Sequence, residues 1–429
     1  MFIADCPLKG ETRAENVVPA HPNGLQLARD RFLVLYATRG FRGTDDDRSI
    51  CYQLRRGSFS GPVLAEGFLS RSIDNWRPDG DGKNFFKQHG HPVAFGVPKG
   101  ARIGGRVPAH AGIFVAKWRT RGIDFSPGST TPHTSRAGQG VEWAQFRLNT
   151  AESDIEIIQP ATLMRQVGFE TGDAVCAAPN YGWMNQTYVN AVPFNSEADQ
   201  WVDANHFNGN RVAALRYAFN SRRGVYEWVQ TSGYLIDPKG GIWEASVVRW
   251  GDEWLVGTRL GNAVDEPGRP KRGNRGVGWL RTKDLFGGRG EFAFPEKPSP
   301  QAARSAYRCA DGVLRVFGGD DSVPLTNRKS KSRRNPVYAW DIDPDRGWAS
   351  SGPREVFDAW RQLTGLRPGS VPMCDMIKVL SPTGNTQTLL HRVNFAPNNF
   401  PPTASEIAVC GIYRAELEYD GDVPPLWQF

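Results

Sequence analysis

Apolar residues fall in short runs along this chain, often at every second position, and the runs are broken by Gly, Asp, Asn and Pro. That is the period of β-strands and not of helices. It predicts strand pairs at residues 31–37 with 49–54, 92–97 with 112–118 and 141–148, and 211–219 with 224–231. Further pairs are expected at 241–249 with 253–259, 304–309 with 313–318, and 376–380 with 386–393. Ala310-Asp311-Gly312 and Ser381-Pro382-Thr383-Gly384 have turn chemistry between two such strands. The unit of strand, tight turn and strand recurs every few tens of residues, which suits propeller blades better than the even spacing of a sandwich. The pattern therefore predicts an all-β chain, a single β-propeller of five to seven four-stranded blades over residues 1–429. One helix-like segment, 356–363, interrupts it. Stretches 120–140, 267–276 and 325–336 lack any period and are expected to be long rim loops. The last holds the basic run from Arg328 to Arg334, which reads as a solvated loop or as a ligand grip.

Composition agrees with this picture. In 429 residues, 47 Gly and 31 Pro punctuate many short strands, while 14 Trp and 23 Phe supply rings to pack between sheets. Hydrophobic content of 39% against 23% charged residues excludes a disordered chain. The net charge of +7 comes mainly from arginine, whose planar fork suits carboxylate, sulfate or phosphate. The arginines are spread along the chain, so nucleic acid is not the expected partner. No segment has the apolar length of a membrane span, and Met1-Phe2-Ile3-Ala4-Asp5-Cys6 lacks the basic start and apolar run of a secretory signal. A cytoplasmic protein is expected as encoded, or a periplasmic or secreted one if a signal was removed. Cys6, Cys51, Cys176, Cys309, Cys374 and Cys410 are widely separated with no Cys-x-x-Cys pair, so buried free thiols are expected.

Four groups of residues could carry chemistry. In Trp243-Glu244-Ala245 and the following strand to Arg259, a carboxylate and a guanidinium fall on the ends of paired strands. They could meet one substrate, or form an ordinary surface ion pair. Arg39 ends a strand and is followed by Asp45, Asp46 and Asp47, where adjacent carboxylates could raise one another's pKa and make a general acid, or only a solvated turn. His89, His91, His110 and His133 make four of the seven histidines within one stretch. They could supply a general base, bond to loop backbone, or hold a structural or catalytic divalent cation near His89, His91 and His110, although the spacing fits no established ligand box. Tyr307 stands beside Arg304 and Arg308, which could lower its pKa for nucleophilic work, or it is a packed aromatic. Trp183 and His206 could line a sugar subsite.

The segment from Glu244 to Arg259 resembles the Glu-x-Ser-Val-Val…Asp-Gly-x-Leu…Arg pattern of the sialidase-like β-propellers, and Arg39 with the following aspartates resembles their opening blade. The resemblance implies that Glu244 polarises Tyr307, that Arg39 and Arg259 bind an anionic group, and that one of Asp45 to Asp47 protonates the leaving oxygen. Where sialidases carry a further arginine this chain has His21-Pro22-Asn23, and the family's Ser-x-Asp-x-Gly-x-x-Trp turns are absent. The stretch His89-Gly90-His91-Pro92 with His110 is similar to propeller lyases acting on uronate-containing glycans such as ulvan. Expected function is thus an exo-acting glycoside hydrolase on an acidic oligo- or polysaccharide. The alternatives are a lyase using His89 or His110 as base, with His91 binding substrate, and a non-catalytic glycan- or protein-binding propeller.

Overall fold

A computed structural model of the chain describes residues 2–4, 17–40, 47–70, 73–76, 85–96, 111–122, 139–163, 192–193, 200–207, 211–220, 222, 225–232, 235, 242–260, 277–287, 290–293, 300–320, 334–395, 405–406 and 409–422. Strand β1 (Phe2–Ala4) opens the chain. The first sheet holds β2 (Val17–Ala28), β3 (Arg31–Gly40), β4 (Asp47–Arg56) and β5 (Val63–Ser70). The second holds β6 (Ile73–Trp76), β7 (Phe85–Gly96), β8 (Ala111–Gly122), β9 (Gln139–Leu148) and β10 (Ile155–Leu163). The third has β11 (Val192–Pro193), β12 (Gln200–Phe207), β13 (Arg211–Asn220) and β14 (Val225–Thr231). The fourth has β15 (Ile242–Trp250), β16 (Glu253–Leu260), β17 (Val277–Thr282) and β18 (Glu291–Ala293). The fifth comprises β19 (Pro300–Arg308), β20 (Leu314–Asp320), β21 (Val337–Asp343), β22 (Ala349–Ser350) and β23 (Arg354–Phe357), followed by the helix α1 (Ala359–Gln362). The sixth is β24 (Pro372–Thr383), β25 (Thr386–Phe395) and β26 (Gly411–Glu418), completed by β1 pairing with β26. The two ends of the chain thus share one sheet. Among the described residues no helix is long and apolar enough to cross a membrane.

The sheets pack face against face, and the alternation of side chains shows how. On β3, Leu33, Leu35 and Ala37 enter a core shared with Ala144 and Phe146 of the second sheet. The intervening Phe32, Val34 and Tyr36 enter a core shared with Leu380, Leu390 and Ile412 of the sixth. A strand buried on both faces reads as the continuous apolar run found here, not as apolar-in, polar-out. The same holds on β20, where Leu314 and Val316 face Trp279 of the fourth sheet and Phe317 faces Ile377 and Val379 of the sixth. Trp279, with no exposed surface, stacks on Trp348 at 4.9 Å between centroids and 4° between planes. Gly257 makes room for that ring, because a Cβ there would lie 2.9 Å from it.

In all six sheets the strand nearest a neighbouring sheet is the first of a hairpin, namely β2, β7, β12, β15, β19 and β24. These inner strands all begin at one end of the molecule. At that end, the loop end, the second and third strands of five sheets are joined by residues 41–46, 123–138, 261–276, 321–336 and 396–410. The other end, the turn end, carries tight hairpins at 29–30, 251–252, 309–313 and 384–385, with 97–110 the longer exception. Ion pairs cross the seams at the turn end. Arg31 Nε donates to the Glu152 carbonyl at 2.6 Å, and Arg281 joins Glu253 of its own sheet to Asp345 of the fifth, at 2.6 and 2.7 Å.

Three expectations from the sequence change in detail. The turn after β24 is Gly384 and Asn385, while 381–383 extend the strand, and the helix is the shorter Ala359–Gln362 because Asp358 caps it and 354–357 pair as β23. The inner strands start earlier than their periodicity indicates, for a reason that bears on the site. Cys51, Cys309, Cys374 and Cys410 are buried and free, as expected.

Candidate functional site

Four inner strands carry the same irregularity against their hairpin partners. On β2, Ala20 lies opposite Ala37 and Asn23 opposite Leu35, so one extra residue is accommodated at His21-Pro22. On β7, Gly90 lies opposite Lys117 and Val93 opposite Val115, with His91-Pro92 between. On β15, Trp243 lies opposite Arg259 and Ser246 opposite Gly257, with Glu244-Ala245 between. On β24, Asp375 lies opposite Arg392 and Lys378 opposite Leu390, with Met376-Ile377 between. A larger irregularity separates Gln301 from Ser305 on β19. A β-bulge leaves backbone groups unpaired, increases local twist and re-aims side chains. Here it recurs four to six residues before the turn-end terminus of each of these four inner strands.

This common level organises the residues singled out in the sequence. His91 and Glu244 take the same bulge position in the second and fourth sheets, and His21 takes it in the first. Arg259 stands opposite the residue just before the bulge, as Lys117 and Arg392 do in their sheets. Arg39 is two residues nearer the loop end than Ala37, directly opposite Asp47 on one side and Val18 on the other. His89 precedes the bulge on β7, opposite Trp118, and His206 lies opposite Val212 in the third sheet. Asp45, Asp46, His110 and Trp183 lie outside the described residues. Among the described residues no three His, Cys, Asp or Glu are grouped to hold a metal ion.

Tyr307 and Arg308 sit beyond this level, toward the turn end. The half-buried Tyr307 donates its hydroxyl proton to the carbonyl of Ile377, a bulge residue of the sixth sheet, at 3.1 Å. Arg308 is exposed and lays its guanidinium 5.5 Å from the ring centroid of Trp250. The pairing of Tyr307 with Glu244 that the resemblance implies is therefore not one of bulge level with bulge level.

His21 is the residue that sequence reasoning did not assign. Its side chain is 4% exposed and its backbone is left-handed, φ 49°, a conformation that is uncommon for a residue with a Cβ. The signal that could have found it is the dipeptide His-Pro, present at 21–22 and again at 91–92 in the corresponding strand.

The electrostatics at the turn end differ in kind. Arg315 is buried and bidentate to Asp311 at 2.7 and 2.6 Å, with Asp341 at 2.7 Å from Nε. Burial works against ionising Asp311, but the Arg315 hydrogen bonds and charge outweigh it and hold the carboxyl below its ordinary value. Burial pushes the neighbouring Cys309 thiol up to about 11, so it stays protonated at neutral pH. These groups are saturated by each other and are structural in character.

No protein-family model matches the sequence, and no curated protein matches it. Solved structures do. The NanB sialidase from Streptococcus pneumoniae superposes with a TM-score of 0.53 at 10% identity, over 97% of this chain and 70% of that one. An α-L-arabinanase from Penicillium chrysogenum in complex with arabinobiose gives 0.50 at 9% identity, over 97% of each chain. A protein of unknown function from Dyadobacter fermentans gives 0.51 at 11% identity, over 95% and 96%. The chain therefore shares the all-β, multi-sheet fold of these three structures.

Proposed function

We propose that this chain is a glycoside hydrolase whose six sheets close into a single six-bladed propeller, with its active site at the loop end. The observation that carries this reading is the repeated bulge, which sets Glu244 at one level with Arg259 and with the bulge histidines of the first two sheets. The names of the similar structures, a sialidase and an arabinanase, support glycoside hydrolysis as the reaction class. In the proposed mechanism one of Asp45, Asp46 and Asp47 protonates the glycosidic oxygen as the bond to the anomeric carbon breaks. Glu244 stabilises the resulting positive charge and takes a proton from the attacking water; exchange with solvent then removes that proton from Glu244 and returns one to the aspartate, which gave its own to the departing sugar. Arg39 and Arg259 bind an anionic substituent at the chain end of a uronate, sulfated or sialic-acid-like glycan.

A second reading has one observation in its favour. His91 occupies the bulge position in the second sheet that Glu244 occupies in the fourth, so a histidine is as well placed as a carboxylate to act as base in β-elimination on a uronate. Incubation with acidic polysaccharides separates the two. New reducing ends without absorbance of an unsaturated uronate mean hydrolysis, and such absorbance means lyase. A product of either kind must vanish with Glu244→Gln for the first reading or with His91→Ala for the second. A broad panel that is bound without any product points instead to a non-catalytic glycan-binding propeller.

A further inference from the structure

The inner strand of the fifth sheet touches the bulges on both of its flanks through consecutive residues. Ala306, 3% exposed, donates its backbone N–H to Oγ of Ser246 at 3.3 Å, and Ser246, also 3% exposed, closes the Glu244-Ala245 bulge of the fourth sheet. The next residue, Tyr307, reaches the other way and donates its hydroxyl to the Ile377 carbonyl in the sixth-sheet bulge at 3.1 Å. β19 is the edge strand of its sheet, so on one side its backbone groups have no ladder to join. An unpaired bulge carbonyl buried between sheets needs a donor in the same way. Two requirements that a seam between sheets creates are thus met by one dipeptide, and each answer lands on a bulge.

We propose that Ser246 and Tyr307 are positioning residues that fix the bulges on either side of the fifth sheet, and through the first of them fix Glu244 in register with the rest of the loop-end site. The functional half of this proposal rests on the hydrolase reading above. The mechanical half does not. β19 acts as a bracket: Ala306 holds the fourth sheet's bulge, Tyr307 holds the sixth's, and Lys378, which follows Ile377, keeps its ammonium 5.7 Å from the Tyr307 ring centroid. The role assigned to Tyr307 is therefore not nucleophilic, since its proton is held by a neighbouring backbone carbonyl.

Two measurements test this on the full chain. Amide hydrogen exchange of Ser246→Ala should quicken in the peptide spanning 242–248, and that of Tyr307→Phe in the peptide spanning 374–379, with β3 and β4 unchanged. Unchanged exchange in both peptides overturns the bracket. Turnover of uronate-containing or sulfated oligosaccharides, read as new reducing ends, should fall about tenfold in kcat for Ser246→Ala with KM held within about twofold, because a misplaced carboxylate slows the chemistry more than it weakens binding, and should change less for Tyr307→Phe. If Tyr307→Phe is as inactive as Glu244→Gln, Tyr307 is a catalytic residue and the proposal fails. If Ser246→Ala keeps full kcat while Glu244→Gln is dead, the positioning role fails and the hydrolase reading stands. A wild-type chain that turns over none of these substrates removes the hydrolase reading, and the exchange data still decide the bracket.

Discussion

The two ends of this molecule are built from the same hairpins and solve opposite problems. At the turn end each hairpin closes on itself: Arg56 N–H reaches the Pro62 carbonyl at 3.0 Å, Gly312 N–H the Cys309 carbonyl at 2.9 Å, and Glu152 N–H the Asn149 carbonyl at 3.0 Å. Charged side chains there find partners within their own sheet or across one seam. At the loop end the strands are bulged, and His21, His91, Glu244, Arg259 and Arg39 gather at or near one level. Short turns leave little freedom and satisfy polar groups locally, which is a stabilising arrangement. Bulges and long connections leave polar groups to be satisfied by another sheet or by a ligand, which is where chemistry can be placed on a rigid frame.

The comparison breaks first at Glu244. If the loop end carries the reaction, Glu244→Gln should lower kcat by about 10²–10⁴-fold while leaving the urea midpoint in place. An equal loss of stability would mean that the residue is structural. The converse variant is Trp279→Ala, in the core between the fourth and fifth sheets, which should cost about 3–5 kcal/mol in urea unfolding through lost burial and the cavity left beside Trp348. A loss below about 1 kcal/mol would show that the seam does not depend on this stack.

Arg315 sharpens the contrast through pH. Its partner Asp311 has a carboxyl held below its ordinary value in the folded chain, so the stability it contributes is present above the unfolded value near pH 4 and is lost as pH falls through the lower folded value. Arg315→Met removes the cause of that shift and leaves two aspartates without their cation, and about 1–3 kcal/mol should be lost at pH 7. The urea midpoint of the variant should also fall less steeply than wild type between about pH 5 and pH 3. Parallel curves for the two proteins would refute the assignment.

Much of the turn end is legible in the sequence, and much of the loop end is not, for one physical reason. Ala310-Asp311-Gly312 is written in turn residues, and the apolar runs 31–37 and 313–318 keep a strand's pattern to their ends. Three of the inner strands become readable only at or after the bulge. Periodicity finds 92–97, 304–309 and 376–380, while the strands are Phe85–Gly96, Pro300–Arg308 and Pro372–Thr383. An extra residue shifts the alternation by one, so the half of the strand before it falls out of phase with the half after it. β2 is lost altogether, because His21-Pro22-Asn23-Gly24 reads as a turn, although Gly24 sits in a strand where a Cβ would come 2.8 Å from the Phe59 ring. The candidate residues were visible as residue types, but their common level was not, since it exists only as cross-strand register.

The smallest expected effect probes the turn end where it is simplest. Gly312 has φ 83° and open space around the position of a Cβ, so an alanine there meets no atom and only the left-handed backbone opposes it. Gly312→Ala should therefore destabilise by about 1 kcal/mol. Gly352 has equally open space and no left-handed φ, so Gly352→Ala carries no such penalty and should stabilise by about 0.4–1 kcal/mol, because it restricts the unfolded chain. The two substitutions are chemically identical and should shift the urea midpoint in opposite directions. If both shift it the same way, side-chain volume and not backbone conformation governs the Gly312 turn, and the tight closure that separates this end from the other loses its basis.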